Sequence, residues 1–145
     1  MKIRKMTLAD YPEVYRLWRS CPEMELNDVD DSEAGVARFL ARNPDTGLVA
    51  EVGGRIAGVL LAGCDGRRGY IYHAGVLPPH RGQGIGSALV REALRILKEM
   101  GITKVGLLVF ADNERGKQFW ANHGFEARND LAYRSCVLRE VTRLQ

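Results

Sequence analysis

Apolar positions recur along the chain with two different periods, and turn residues mark the places where the period changes. Lys2 to Met6 alternates and predicts a short strand. Thr7 with Asp10 has the spacing of a capping box, which opens a helix through Ser20 with Tyr11, Val14, Tyr15 and Trp18 on one face. A second helix is expected from Ser32 to Arg42, turning Val36, Phe39 and Leu40 inward until Asn43-Pro44 ends it. "GLVAEVGGRIAGVLLAGC" then sets two apolar runs around Gly53-Gly54, the signature of a hairpin with a two-residue turn. Asp65 to Gly69 is another turn. It feeds a strand from Tyr70 to Leu77, stopped by Pro78-Pro79.

The second half switches to alternating elements. Ile85, Ala88, Leu89, Ala93, Ile96 and Leu97 form the apolar stripe of a helix from about Gly84 to Met100, and Gly101 supplies its C-cap. "ITKVGLLVF" (Ile102 to Phe110) is apolar and β-branched, so a buried strand is expected. A short helix follows over Asn113 to Asn122, closed by Gly124. A last stretch from Glu126 to Val141 is expected to close the sheet. Hairpin strands followed by strand–helix–strand–helix, without repeats or linkers, predict one α/β domain over residues 1–145.

Composition is consistent with this and excludes some classes. With 145 residues, 46% apolar and 27% charged, the chain can bury a sizeable core and is neither disordered nor a disulfide mini-protein. No apolar run approaches about 18 residues, and Met1 to Lys5 lacks the apolar stretch of a signal peptide. The expectation is a cytoplasmic protein with no membrane partner. Cys21, Cys64 and Cys136 are odd in number and widely spaced, so they read as reduced thiols, two or three of them in the core.

The net charge of +3 conceals an asymmetry. From Ser20 to Ala37 there is no Lys or Arg, but Glu23, Glu25, Asp28, Asp30, Asp31 and Glu33 give −6, leaving +9 on the rest. A basic body suits a phosphate-bearing partner, and an acidic segment suits a cationic one. Arg67-Arg68 and the scattered basic residues form no stripe interleaved with aromatics, so nucleic acid is not expected. His73, His80 and His123 are isolated from one another, and no ligand spacing predicts a metal.

"HRGQGIGSALV" (His80 to Val90) bares three glycines, Gly82, Gly84 and Gly86, at the start of a helix. Unpaired N–H groups and a partial positive charge at such a terminus suit phosphate. The P-loop pattern fails because Gly86-Ser87-Ala88 lacks its Lys, and Gly82-x-Gly84-x-Gly86 is not the dinucleotide GxGxxG. Arg81-x-x-Gly84-x-Gly86 after a strand resembles the pyrophosphate loop of the GNAT superfamily of acyl-CoA-dependent N-acyltransferases. "NERGKQFWANHGF" resembles the family's second segment. There Asn113, Phe119, Gly124 and Phe125 match, while Gly116 replaces an Ala and Trp120 a Tyr. The order and spacing of both segments agree over nearly the whole chain.

That resemblance implies a mixed, largely antiparallel central sheet flanked by helices, with strands splayed at the acyl-CoA site. It implies that acetyl-CoA serves as co-substrate, its pyrophosphate wrapped by backbone N–H groups from Arg81, Gly82, Gln83, Gly84, Ile85, Gly86 and Ser87. Pantetheine would pair with the backbone of Val76 and Leu77, either of which could give an oxyanion N–H. Asn113 would bond the pantetheine arm, or cap its helix, or both. Trp120 would pack near the sulfur. The acceptor implied is an amine, and a homodimer is compatible with the family.

Transfer to an amine requires loss of a proton, since an ammonium with a pKa of about 10.4 is nucleophilic in about one molecule in 10³ at neutral pH. Neither strand beside the loop carries the family's usual Glu. His73 is the candidate base, with Tyr72 beside it; strand alternation sends Tyr70 and Tyr72 to one face and His73 to the other unless a bulge intervenes. Glu25 or Asp28, in the acidic segment that overhangs the family's acceptor site, could act through water or bind a cationic amine. An indole donates a hydrogen bond but does not release its proton near neutrality, so Trp120 cannot replace the family's Tyr as an acid. Tyr133 or water are the alternatives. No cysteine sits beside a recognisable His and acid, which disfavours a Cys nucleophile. The expected activity is acetyl transfer to a primary amine by direct attack. The alternative is an acyl-CoA-binding module with little or no catalysis.

Overall fold

The structure, a computed structural model, describes residues 1–144. Its elements run β1 (Lys2–Lys5), α1 (Tyr11–Arg19), α2 (Glu33–Arg42), β2 (Gly47–Val52), β3 (Arg55–Cys64), β4 (Gly69–Val76), α3 (Ile85–Glu99), β5 (Val105–Leu107) and α4 (Glu114–Ala121). The strands form one sheet in the order β1-β2-β3-β4-β5, antiparallel throughout except for parallel β4 and β5. This is the mixed, largely antiparallel sheet flanked by helices that the motifs implied. No helix among the described residues is long and apolar enough to cross a membrane.

Local signals account for most boundaries. Thr7 and Asp10 form the expected capping box, the Thr7 N–H lying 2.8 Å from Asp10 Oδ2, and a single 3-10 turn leads into α1. Ser32 Oγ accepts from Gly35 N at 3.0 Å and caps α2. Gly53 and Gly54 both hold positive φ, 59° and 77°, as a tight hairpin turn matching the strand twist requires. Alternation along β3 then fills both sides of the sheet. Val59 and Leu61 pack with Val14, Leu17, Trp18 and Val36 of α1 and α2. Leu60 and Ala62 pack with Ile85, Leu89, Ala93 and Leu97 of α3.

Three expectations fail. The buried strand over Ile102 to Phe110 shrinks to three residues. Ile102 N–H is taken by Leu97 O at the end of α3, and beyond Leu107 the chain leaves β4, so that Leu108 and Phe110 are exposed. The stretch from Glu126 to Val141 does not close the sheet. Alternation there breaks at Ser135 and reverses at Leu138, and the segment runs exposed without a strand. Only the following residues rejoin the body, where Asp28 N meets Thr142 O at 2.9 Å and Leu144 N meets Leu26 O at 2.9 Å. Of the cysteines, only Cys21 is buried; Cys136 is exposed.

Candidate active site

β4 and β5 pair only from Gly69↔Val105 to Ile71↔Leu107, while β4 continues to Val76. Past that point the two chains diverge, Ile71 to Ala74 facing Leu107 to Phe110 across a small cavity, and a larger cleft continues from Ala74 toward α3 and α4. On β4, Leu77 N–H donates to Ala57 O at 2.8 Å, which places Gly58↔Val76 and Leu60↔Ala74 at non-hydrogen-bonded positions of the ladder. The N–H groups of Ala74 and Val76 therefore point away from β3, into the opening. Leu77 N–H is committed to β3, so of the two expected oxyanion donors only Val76 faces the cleft.

The cleft, about 590 Å³, runs from Ala74 and Val76 to the glycine loop and α4. A 3-10 turn (Pro78–His80) precedes the loop and uses the Arg81 N–H, which donates to Pro78 O at 3.2 Å. That removes Arg81 from the expected set of cradle amides. From Gly82 to Ser87, however, no backbone N–H has a backbone acceptor among the described residues. The first is Ala88, bonded to Gly84 O at 3.0 Å. Gly84 sits at φ 84°, a left-handed conformation that suits glycine, and no acid lies in the first turn of α3. Six N–H groups without backbone acceptors thus follow one another into an acid-free first turn.

The Arg81 side chain does not reach into this cradle. Its Nε donates to Val76 O at 3.1 Å and its Nη2 to Glu23 Oε1 at 2.9 Å, with Cys21 Sγ 3.6 Å away. Arg81 thereby ties the end of β4 to the acidic segment. Burial pushes the Cys21 thiol up against the pull of Arg81, which disfavours a thiolate nucleophile there.

Asn113 caps its helix as expected and borders the cleft. Its Oδ1 accepts from Gly116 N at 2.9 Å. A Cβ on Gly116 would meet Asn113 Nδ2 at 2.6 Å and Val109 Cγ2 at 3.0 Å, which explains Gly in place of the family's Ala. Trp120 is stacked edge-on against Phe119 and Phe125, with centroids at 4.9 and 5.2 Å. Glu23, Ala74, Asn113 and Trp120 border both this cleft and a second cavity of about 200 Å³.

The second cavity holds Tyr72 and His73 on one wall and Glu23, Met24 and Glu25 on the other. A β-bulge makes this possible. Ladder pairs run Leu60↔Ala74 and then Ala62↔Ile71, so Tyr72 and His73 together oppose Leu61. Strict alternation would send His73 to the α3 side. The extra residue instead turns it toward α1 and α2, where its ring lies 4.9 Å from that of Trp18. Tyr72 packs on Phe39 at 5.7 Å on the same face.

His73 has a partner that sequence reasoning missed. Its Nε2 lies 2.7 Å from Asp31 Oδ1, and both side chains are largely buried. The second oxygen of Asp31 accepts Asn27 N–H at 2.8 Å, and its carbonyl accepts the Tyr11 hydroxyl at 2.7 Å. The carboxylate is therefore locked in place, and Nδ1 is the ring nitrogen left for other chemistry. Asp31 stood in the acidic run, but nothing local distinguished it from Asp28 or Asp30.

Asp28 does not line either cavity. Its Oδ1 accepts Thr142 N–H at 2.7 Å and anchors the C-terminal end. Glu25 does line the cavity, with Arg143 Nε 3.6 Å away. Tyr133 is exposed and borders neither cavity.

Comparison with known proteins shows the family and the fold. The profile of the acetyltransferase (GNAT) family matches residues 11–125. An acetyltransferase of Sodalis glossinidius is 40% identical over 114 residues, covering 79% of each chain. One of Photorhabdus laumondii is 40% identical over 114 residues, covering 79% of this chain and 78% of the other. Among solved structures, PaiA N-acetyltransferase of Thermoplasma acidophilum in complex with coenzyme A superposes with TM-score 0.78 at 19% identity, over 88% of this chain and 91% of that one. Ard1 of Thermoplasma volcanium superposes with TM-score 0.75 at 25% identity, over 85% and 80%.

Proposed function

The chain belongs to the acetyltransferase (GNAT) family, and from that premise we propose that it moves the acetyl group of acetyl-CoA to a primary amine by direct attack. The observation carrying this reading is the run of unpaired amides from Gly82 to Ser87, opening onto the cleft that β4 shares with α3 and α4. Six unpaired donors at a helix N-terminus suit a pyrophosphate, and the outward N–H groups of Ala74 and Val76 suit an amide-bearing arm laid along β4.

When bound, the co-substrate supplies an activated carbonyl and a thiolate leaving group. Val76 N–H donates to the oxygen on which charge develops. Asn113 holds the arm through its amide, and Trp120 covers the sulfur where the two cavities meet. In the smaller cavity His73 takes the amine proton on Nδ1, while Asp31 holds the proton on Nε2 and so keeps the ring in that tautomer. Tyr72 walls the same cavity. Glu23 is tied to Arg81, and Glu25, more loosely placed 3.6 Å from Arg143, is the carboxylate that meets a cationic amine at the cavity wall.

The indole of Trp120 favours a second reading, an acyl-CoA-binding protein with weak turnover, because it offers no proton to the leaving thiolate. Thermal-shift titration with acetyl-CoA, coenzyme A, NAD⁺ and ATP tests the cradle first. Ligand at about 100 times Kd adds about 2.7 kcal/mol, which raises Tm by roughly 5–11 °C. The shift is expected with acetyl-CoA and coenzyme A alone, and Gly84→Asp, which adds bulk and negative charge at the loop, is expected to abolish it. An equal shift with ATP, or full binding by Gly84→Asp, rules out the cradle. Free-thiol release over a panel of amines then separates enzyme from binding module.

A further inference from the structure

His123, just past the end of α4, reaches back to the first turn of α3. Its Nδ1 lies 2.8 Å from Phe119 O and its Nε2 lies 2.9 Å from Ser87 Oγ. A main-chain carbonyl only accepts, so Nδ1 carries a proton in either charge state. In the neutral ring Nε2 is bare, and Ser87 must turn its hydroxyl proton toward it. When the ring is protonated the bond reverses. Nε2–H donates to Oγ, and the Ser87 proton is released toward the cleft, which Ser87 lines. The Phe119 ring, 4.5 Å away by centroid, and the two hydrogen bonds hold the imidazole in this position.

Resting on the acetyl-CoA reading above, we infer that His123 is a proton-coupled positioning residue for the pyrophosphate. Binding of the anion draws one proton from solvent onto Nε2. The Ser87 hydroxyl becomes a donor to a phosphate oxygen, and a cation stands behind it. No bond to phosphorus forms or breaks. On the ring itself, α3 presents Ser87 and α4 presents Phe119. The charged or titratable groups sharing the cleft are Glu23, His80, Arg81 and Arg115, of which Arg81 is paired with Glu23. Among the described residues His80 is the imidazole that lines the cleft, and it is the necessary control.

Acetyl-dephospho-CoA is the probe, because it lacks the 3′-phosphate and the free thiol that would titrate on their own. Isothermal titration in buffers of different ionisation enthalpy is expected to report net uptake of part of one proton by the native protein. Kd is expected to rise as pH rises, by no more than about tenfold per pH unit. His123→Gln keeps a hydrogen-bonding side chain but does not titrate, and is expected to lose the uptake. Ser87→Ala is expected to diminish it, and His80→Gln to retain it. Binding without proton uptake, or uptake that survives His123→Gln, overturns the inference while leaving the acetyl-CoA reading intact. Failure of the native protein to bind acetyl-CoA at all overturns that reading instead.

Discussion

Asp31→Asn exchanges one oxygen for an amino group at a site where both oxygens are already committed. Oδ2 accepts Asn27 N–H at 2.8 Å and Oδ1 faces His73 Nε2 at 2.7 Å. The new amide must keep its oxygen on Asn27, since an amino group there would oppose a donor. Its NH₂ therefore meets His73, and Nε2 must become an acceptor. The ring proton moves to Nδ1, the nitrogen proposed to receive the amine proton. General-base catalysis contributes about 10²–10⁴-fold, and that is the expected fall in kcat. Stability changes less, because both contacts survive as neutral hydrogen bonds. Losing charge assistance costs about 1–2 kcal/mol, or roughly 2–8 °C in Tm. The assay is free-thiol release with the best amine of the panel, alongside a melt and a kcat/KM pH profile. kcat/KM is expected to fall across the whole profile while KM for acetyl-CoA stays unchanged. Turnover within about threefold of wild type, far below the loss expected of a base, accompanied by the lowered Tm, would refute the reasoning. The pair would then only fasten the acidic segment to β4.

Two further outcomes separate neighbouring roles. Glu25→Gln is expected to raise KM for cationic amines, most clearly at low salt, whereas Asp28→Asn lowers Tm and leaves KM alone, because Asp28 holds Thr142 rather than the cavity. Steady-state kinetics and melts on both variants check this. At the far end of the sheet, the Arg4 guanidinium beside Asp10 holds that carboxyl below its ordinary value of 3.8. A depressed carboxyl contributes stability above the unfolded value and loses it as pH falls through the lower folded value. Denaturant melts of the native protein are therefore expected to weaken below about pH 4, and Asp10→Asn to flatten that dependence.

Wherever the determinant of an element is local, the sequence alone sufficed. Thr7-Asp10, Ser32, Gly53-Gly54 and Asn113 each act within four residues of themselves, and each is found capping or turning where the spacing requires. The glycine loop belongs to the same class. Its amides are exposed because no residue of the loop itself supplies them with a carbonyl, and the six-residue pattern records that directly.

What the tertiary structure decided depends on partners far apart in the chain. The final stretch contains apolar residues, but a strand forms only where a neighbour offers a matching edge, and here none of it pairs until Thr142 meets Asp28. Alternation assigns His73 to the α3 side. One extra residue between Leu60↔Ala74 and Ala62↔Ile71 reverses that assignment, and a bulge is a property of two strands in register, not of one. Asp31 becomes the partner of His73 across 42 residues because α1 and α2 pack on the same face of the sheet. The hydrogen bonds of Leu77 and Arg81 likewise remove two donors that the chain alone left open. The sequence by itself determined most of the elements and the glycine turn with its unpaired amides, because both follow from neighbours a few residues apart. Register, burial and long-range pairing determined which of its many acids and histidines face one another across the site.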